Sequence, residues 1–306
     1  MTVIDAHHHV WDLEVRDQPW LAGPDKAAIR RTFTLDDLRP AARAAGVDAT
    51  VLVQTVTVAA ETPEMLALAD RDPLVAGVVG WTDLTSVAVA DELARLAGGP
   101  GGGRLASIRH QVQSEPDPDW LRRPEVIRGL GAVAAAGLAY DLVILPHQLP
   151  AAAYAAAAVP GLTLVLDHAG NPPVASGDLS GWAAAVRELA TRPNTTCKLS
   201  GLVTQAPRGA RAEAFAVVAD VVLGAFGADR VMFGSDWPVC LLASDYAGVL
   251  AVARSLTAGL SAAEQAAVFG ATAARAYRLG EVAGTDGAAG DADAEARSGS
   301  GAGTWH

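Results

Sequence analysis

"TVIDAHHHVWD" occupies residues 2–12 and joins a short apolar run to three consecutive histidines, His7, His8 and His9. The apolar run predicts a β-strand, and the polar cluster follows at its carboxyl end. The same succession recurs along the chain, because further short apolar runs are separated by helix-like stretches. The predicted strands cover residues 2–5, 49–55, 75–81, 105–111, 139–145, 162–167, 195–200 and 230–235.

Helical patterns lie between these strands, and several of them end at a glycine, as helix C-termini commonly do. Strands that alternate with helices indicate βαβ units and a parallel sheet. Eight such units in a chain of this length predict the α/β class and a single (β/α)₈ TIM-like barrel. An open, doubly wound parallel sheet is the alternative. The predicted helices include residues 35–46, 89–98, 124–137, 181–192, 211–227, 246–258 and 261–279.

Composition separates the last residues from the rest of the 306-residue chain. Hydrophobic residues make up 51% and charged residues 19%, which is typical of a globular protein. Residues 281–306 are rich in glycine and alanine and carry five acidic residues against one arginine. We therefore predict a barrel domain over residues 1–280 and a disordered acidic tail over residues 281–306.

The net charge of −11 gives no bulk attraction to nucleic acid or to an anionic membrane. No secretory signal or membrane span is predicted, and Cys197 and Cys240 have no CxxC spacing. These features predict a cytoplasmic protein with reduced thiols. The expected partner is a small molecule, and the oligomeric state stays open, a homo-oligomer included.

Histidine placement is the sharpest functional pattern. Six of the seven histidines lie at or just beyond a predicted strand end, and none lies in a predicted helix. In a barrel enzyme the carboxyl ends of the strands form the active-site face, so these side chains should meet there. The six are His7, His8, His9, His110, His147 and His168.

Strand alternation sorts the polar residues further, because successive side chains point to opposite faces. It predicts that Asp5, His7 and His9 share one side of the first strand, and that His8 lies on the other side. Two histidines spaced i, i+2 then converge on one point, as metal ligands or paired electrophiles do. Alternation also places Lys198 in the barrel interior, where a lysine needs either a chemical role or a carboxylate partner.

Five motifs together resemble the amidohydrolase superfamily of the amidohydrolase-2 type. They are "DAHHHVWD" (5–12), "IRHQVQSEPDPDWL" (108–121), "DHAGNP" (167–172), "KLSGL" (198–202) and "FGSDWPVC" (233–240). More narrowly, they resemble its branch of sugar-lactone and dicarboxylate lactonases. The resemblance extends from residue 5 to residue 240 and implies a distorted (β/α)₈ barrel.

The resemblance also implies roles for particular residues. His7 and His9 match the HxH pair, His168 the sixth-strand histidine and Asp236 the eighth-strand aspartate. Members with two metal ions bridge them with a lysine at the end of strand 4, and this chain has Arg109 there instead, so at most one divalent ion is expected. That ion, zinc by preference, would use His7, His9, His147 and Asp236. Metal-free catalysis stays open.

The predicted reaction is hydrolysis of a small lactone by Asp236-activated water. His7, His9 and His168, with Lys198 or one metal ion, would stabilise the oxyanion. Arg109 would anchor the substrate. The predicted substrate-binding residues are Arg109, Lys198, His147, Trp81 and Trp237.

A neutral aldonolactone such as L-fuconolactone or L-rhamnonolactone is the expected substrate, because a carboxylated lactone would need several converging cations. One alternative is a single-zinc amidohydrolase or decarboxylase acting on a carboxylated small molecule. An alternative of another class is a non-catalytic sugar-binding barrel, which would have no need of an aspartate beside three histidines.

Overall fold

The computed structural model describes residues 1–280. Eight parallel strands follow one another around a single sheet in the order β1 to β8, with each strand hydrogen-bonded to the next. The prediction of a (β/α)₈ barrel is confirmed. The predicted tail, residues 281–306, lies outside the described residues. The strands are β1 (Ile4–His8), β2 (Ala49–Val53), β3 (Val75–Gly80), β4 (Leu105–His110), β5 (Ala139–Leu142), β6 (Leu164–Leu166), β7 (Thr195–Leu199) and β8 (Val231–Phe233).

Helices cover the outside of the barrel and lie close to the predicted positions. In the predicted region 261–279, two short α-helices flank a π-helical turn, Ala267–Ala271. Among the residues described, no helix has the length and apolar character that a membrane crossing requires. The helices are α1 (Leu35–Ala44), α2 (Glu61–Arg71), α3 (Val89–Ala97), α4 (Pro124–Ala135), α5 (Leu149–Ala158), α6 (Ser180–Ala190), α7 (Ala216–Phe226), α8 (Tyr246–Leu256), α9 (Ala262–Ala266) and α10 (Thr272–Ala276).

Two apolar layers hold the barrel together. Small side chains such as Ala6, Val51 and Val165 fill the interior, and Tyr277, just after α10, packs against them. A larger layer lies between the sheet and the surrounding helices. The low aromatic content of the chain is therefore accommodated by an interior built from alanine and valine.

The barrel closes at the seam between β8 and β1, which has few regular ladder bonds. His8 forms an isolated parallel bridge with Trp237. The amide of Asp236 donates to the His7 carbonyl at 2.8 Å, and the amide of His9 donates to the Trp237 carbonyl at 2.7 Å. The Asp5 carboxylate accepts from the Ser235 amide at 2.7 Å. The Asp5 carboxylate and a few backbone hydrogen bonds thus take the place of a regular β-ladder at this seam.

The prediction that Asp5 shares a face with His7 and His9 is wrong. The β1–β2 register shifts between Asp5 and His8, so β1 holds one extra residue there. A β-bulge of this kind reverses the alternation that follows it. Asp5 points away from the histidines and accepts a hydrogen bond from the Tyr246 hydroxyl at 2.9 Å. Burial raises the pKa of the Asp5 carboxyl.

His8 is fully buried, and neither of its ring nitrogens has a hydrogen-bond partner among the described residues. Its packing role agrees with the prediction that it faces away from His7 and His9. Burial lowers the pKa of His8 to about 3, below the ordinary value of about 6.5 for an unfolded chain. As the pH falls below that ordinary value, the unfolded state takes up a proton that the folded state refuses, and stability is lost.

We expect His8→Leu to remove this acid sensitivity. The unfolding free energy of the wild type should fall relative to the variant by about 1.6 kcal/mol between pH 6.5 and pH 5, where the slope approaches roughly 1.4 kcal/mol per pH unit. Urea unfolding at the two pH values measures the difference, and His147→Leu, at an exposed histidine, is the matched control. Parallel pH profiles for wild type and His8→Leu would contradict the prediction.

Candidate active site

One cavity of about 360 Å³ opens at the carboxyl ends of the strands. This is the face at which barrel enzymes carry out their chemistry, and the volume suits a small ligand. Among the described residues that line it, Asp236 supplies the only carboxylate. The polar residues at its base are His9, Arg109, His168 and Asp236.

His9 presents an unprotonated nitrogen to the cavity. Its Nδ1 lies 2.8 Å from the Val53 carbonyl oxygen, and since that oxygen can only accept, Nδ1 carries the proton. Nε2 therefore keeps a lone pair when the ring is neutral, and it lies 3.2 Å from His7 Nε2. His7 itself is fully buried beneath the cavity floor. A neutral His9 can accept a hydrogen bond here, but it cannot donate one to an oxyanion.

Asp236 follows β8 in a left-handed backbone conformation, with φ of 57°. Such a conformation is strained for a non-glycine residue and persists where neighbours fix it. The His7 carbonyl holds the Asp236 amide, and the Asp236 carbonyl accepts from the Cys240 amide at 2.9 Å. The carboxylate Oδ1 lies 3.5 Å from His9 Nε2 and 3.8 Å from His7 Nε2. The strand-end aspartate is thus aimed at the histidine pair.

Two glycines permit the close approach of the histidines. A Cβ added at Gly234 would lie 2.7 Å from the His7 Cβ, and one added at Gly201 would lie 2.6 Å from His168 Nδ1. Both distances are too short for real carbon atoms. His168 Nδ1 lies 2.9 Å from the Ser200 hydroxyl. Burial lowers the pKa of His168, so this ring is neutral near pH 7.

Lys198 forms a buried ionic cluster instead of contacting the cavity. It is fully buried, and its Nζ lies 2.5 Å from Asp141 Oδ2, 2.9 Å from Asp167 Oδ1 and 3.1 Å from His7 Nδ1. The prediction that Lys198 binds substrate is corrected, because both carboxylates and His7 surround its ammonium group. The sequence predicted either a chemical role or a carboxylate partner for Lys198. The structure gives it two carboxylate partners, Asp141 and Asp167.

The two carboxylates of this cluster respond differently to burial. Burial raises the pKa of Asp141, although Lys198 opposes the effect. Burial alone would also raise the pKa of Asp167, but Lys198, His7 and Arg109 together hold it well below its usual range. Burial and the adjacent Lys198 lower the pKa of His7 well below its ordinary value. His7 is therefore neutral at pH 7, with Lys198 and Asp167 on its Nδ1 side.

Arg109 lines the cavity as predicted, but most of its guanidinium is already engaged. Nη1 donates to Asp167 Oδ2 at 2.9 Å, and Nη2 donates to the Gln54 carbonyl at 2.6 Å. Nη1 also lies 3.3 Å from His7 Nε2. Nε is buried and has no hydrogen-bond partner among the described residues, so a ligand in the cavity meets a guanidinium whose charge Asp167 already balances in part.

Besides Lys198 and the buried His7, three further predicted site residues do not line the cavity. His147 is exposed in the short 3-10 helix Pro146–Gln148, because β5 ends at Leu142 and the next residues carry the chain away. This corrects its assignment as a metal ligand and substrate contact. Trp81 donates its indole N–H to His110 Nδ1 at 3.0 Å. Trp237 is buried, with its ring 5.3 Å from that of Phe33. Both tryptophans have structural partners.

His7, His168 and Asp236 could hold one divalent ion, since their donor atoms lie within 4.8 Å of one another. Imidazole and carboxylate ligands suit zinc, and Asp167 beside His7 Nδ1 is the outer carboxylate that such histidines usually have. The Arg109 guanidinium, 3.3 Å from His7 Nε2, competes with an ion for the same nitrogen. These three side chains fit a single metal ion, and the Arg109 guanidinium already lies beside them.

Trp20 is the main cavity residue that the sequence analysis missed. It comes from the long connection after β1, in the 3-10 helix Pro19–Leu21. Its indole N–H donates to Gln18 Oε1 at 2.8 Å, and Gln18 Nε2 donates to the Thr55 hydroxyl at 2.9 Å. The polar, tryptophan-containing character of that connection was the available signal.

Two named relatives are similar to the chain over nearly its whole length. The L-fucono-1,5-lactonase of Burkholderia multivorans is 40% identical over 292 residues, which cover 92% of this chain and 97% of that protein. The L-fucono-1,5-lactonase of Burkholderia ambifaria is 39% identical over 285 residues, covering 90% of this chain and 95% of its own.

A solved structure supports the same relationship. A crystal structure of an amidohydrolase from Burkholderia multivorans with bound zinc is 39% identical and has a TM-score of 0.85. It covers 92% of this chain, and all of that chain is matched. Residues 4–279 match the family model described as Amidohydrolase, and with two relatives of about 40% identity this places the chain in the amidohydrolase family.

Proposed function

We propose that this protein hydrolyses the ester bond of a neutral sugar lactone, with L-fuconolactone as the first candidate. The main support is the cavity, in which the Asp236 carboxylate lies near His9 and His168 and the Arg109 guanidinium lines the same space. The similarity to two L-fucono-1,5-lactonases supports the choice of substrate. A neutral substrate fits because the lysine and the arginine among the described residues that line the cavity each have a carboxylate partner already, Asp25 for Lys26 and Asp167 for Arg109.

In the proposed mechanism, Asp236 takes a proton from a water molecule while the water oxygen attacks the lactone carbonyl carbon. His9 Nε2 accepts a hydrogen bond from that water. If the Ser200 hydroxyl donates to His168 Nδ1, His168 Nε2 carries a proton and can donate to the oxyanion, alongside Arg109. Asp236 then returns its proton to the ring oxygen as the C–O bond breaks, which gives the open-chain hydroxy acid.

A divalent ion, where bound, would be held by His7, His168 and Asp236, would polarise the carbonyl and would lower the pKa of a bound water. We expect turnover to survive chelation with less than about a twofold loss, because the Arg109 guanidinium already places positive charge 3.3 Å from His7 Nε2, beside the candidate ion site.

The test is a lactone panel assayed with protein purified with and without chelator. The panel contains L-fuconolactone, L-rhamnonolactone, unsubstituted δ-valerolactone and 2-pyrone-4,6-dicarboxylate, and metal content is measured in parallel. Loss of turnover that zinc restores would make the ion essential and favour the single-zinc alternative. Binding of sugar lactones without hydrolysis would favour the non-catalytic barrel.

We also propose that residues 1–280 form the complete catalytic unit in the cytoplasm. The family match ends at residue 279, and the two free cysteines, Cys197 and Cys240, are both buried. A chain that ends at residue 280 should keep the full turnover number on the preferred lactone. A large loss would assign the acidic residues 281–306 a part in catalysis.

A further inference from the structure

Three carboxamide side chains form one wall of the cavity, and the mechanism uses none of them. They are Gln113, Asn171 and Gln205, called here the amide wall. They come from three separate segments of the chain, which follow β4, β6 and β7. Sequence-distant residues with one chemistry thus meet beside the catalytic group.

Asn171 fixes the orientation of the wall. Its backbone is left-handed, with φ of 55°, and its Nδ2 donates to the Ile144 carbonyl at 2.9 Å. Because that carbonyl can only accept, the nitrogen and oxygen of the Asn171 amide are assigned. Asn171 Oδ1 then accepts from Gln205 Nε2 at 2.9 Å. The orientation of Gln205 follows, and its Oε1 is left as an acceptor.

Gln113 completes the wall with the opposite polarity. Its Oε1 lies 3.5 Å from Asn171 Nδ2, so the oxygen of the Gln113 amide faces Asn171. The Nε2 hydrogens are therefore directed away from Asn171. The wall therefore offers an acceptor from Gln205 and a donor from Gln113. Hydroxyl groups can both donate and accept, so they match this pair, whereas a carboxylate would meet an acceptor oxygen.

Resting on the proposed lactonase function, we propose that the amide wall is a hydroxyl-binding subsite that selects lactones by the hydroxyl groups away from the carbonyl. One hydroxyl donates to Gln205 Oε1, and a second accepts from Gln113 Nε2. Trp20, on another part of the cavity lining, offers an aromatic surface to the C–H face of the same ring. Sites that hydrogen-bond a substrate hydroxyl discriminate against analogues that lack it.

The test uses Gln113→Met and Gln205→Met, which keep the side-chain length and remove the amide. On L-fuconolactone we expect kcat/KM to fall about tenfold, the order of one neutral hydrogen bond, chiefly through KM. On unsubstituted δ-valerolactone the fall should stay below about threefold. Gln265→Met is the matched control, because Gln265 lies outside the cavity and bonds the Leu260 carbonyl. Equal losses on both lactones, or no loss, would overturn the subsite.

A second measurement separates this proposal from the lactonase proposal. The alditol L-fucitol has the hydroxyl groups without the ester, so its binding to wild type and Gln205→Met can be titrated by NMR. If both variants hydrolyse lactones but lose no more activity on L-fuconolactone than on δ-valerolactone, the subsite is rejected and the lactonase proposal stands. Alditol binding that weakens about tenfold in Gln205→Met, in a protein that hydrolyses no lactone, rejects the lactonase alone. The absence of both rejects both.

Discussion

Replacing Asp236 with asparagine should lower kcat by about 10²–10⁴-fold on the preferred lactone, because the amide cannot accept a proton from water. The variant should fold normally. Asparagine tolerates the left-handed backbone at this position as readily as aspartate does, and the amide bond to the His7 carbonyl is unaffected. Steady-state kinetics together with a thermal melt measure the two effects separately.

The pH–rate profile distinguishes the base from a structural partner of the histidines. If ionised Asp236 is required, the acidic limb of the profile should disappear in Asp236→Asn. Asp83→Asn, at an exposed carboxylate after β3, is the control and should leave the profile intact. A folded Asp236→Asn protein with kcat within about tenfold of wild type would remove Asp236 from the centre of the mechanism.

Lys198→Met should cost about 3–5 kcal/mol of unfolding free energy, because it leaves two buried carboxylates without their shared cation. Asp141 and Asp167 both lie within 3 Å of the ammonium nitrogen, and all three side chains are inaccessible. Denaturant unfolding measures the loss. Lys198→Met combined with Asp141→Asn should recover part of it, since the amide oxygen left at that position can still accept from the Ser107 hydroxyl.

The pH dependence of this deficit has a fixed sign. Without Lys198, the raised pKa of Asp141 rises further, and the folded state holds a proton that the unfolded state releases. Stability is then greatest below the ordinary aspartate pKa of about 4 and is lost as the pH rises through the folded value. The deficit should therefore be larger at pH 8 than at pH 5. Native stability with an altered KM would restore Lys198 as a substrate contact.

The fold and the centre of the site could be predicted from sequence because both depend on short-range patterns. Strand–helix alternation specifies the barrel, and the strand-end rule brings His9, His168 and Asp236 to one cavity. These predictions need only the hydrophobic period of each element and the residue at which each strand ends. Both can be read from short stretches of the sequence.

Other features depend on partners that lie far away in sequence. A single extra residue in β1 places Asp5 on the opposite side of the strand from His7 and His9. Strand alternation cannot reveal such a bulge. Lys198 was correctly placed inside the barrel, but its two carboxylates come from β5 and the end of β6. His147 follows its strand by five residues, a gap over which direction is lost. Trp20 reaches the cavity from a connection whose path no periodicity specifies.

The seam between β8 and β1 also has a consequence for biosynthesis. The Ser235 amide that bonds Asp5 lies 230 residues later in the chain, so His7 and His9 leave the ribosome long before Asp236 does. Until that distant segment is translated, β1 has no partner on one edge, and the buried Asp5 and His7 lack the groups that hold them. Contacts of such long sequence separation form late and slowly. The catalytic centre therefore comes into existence only when synthesis of the barrel is almost finished.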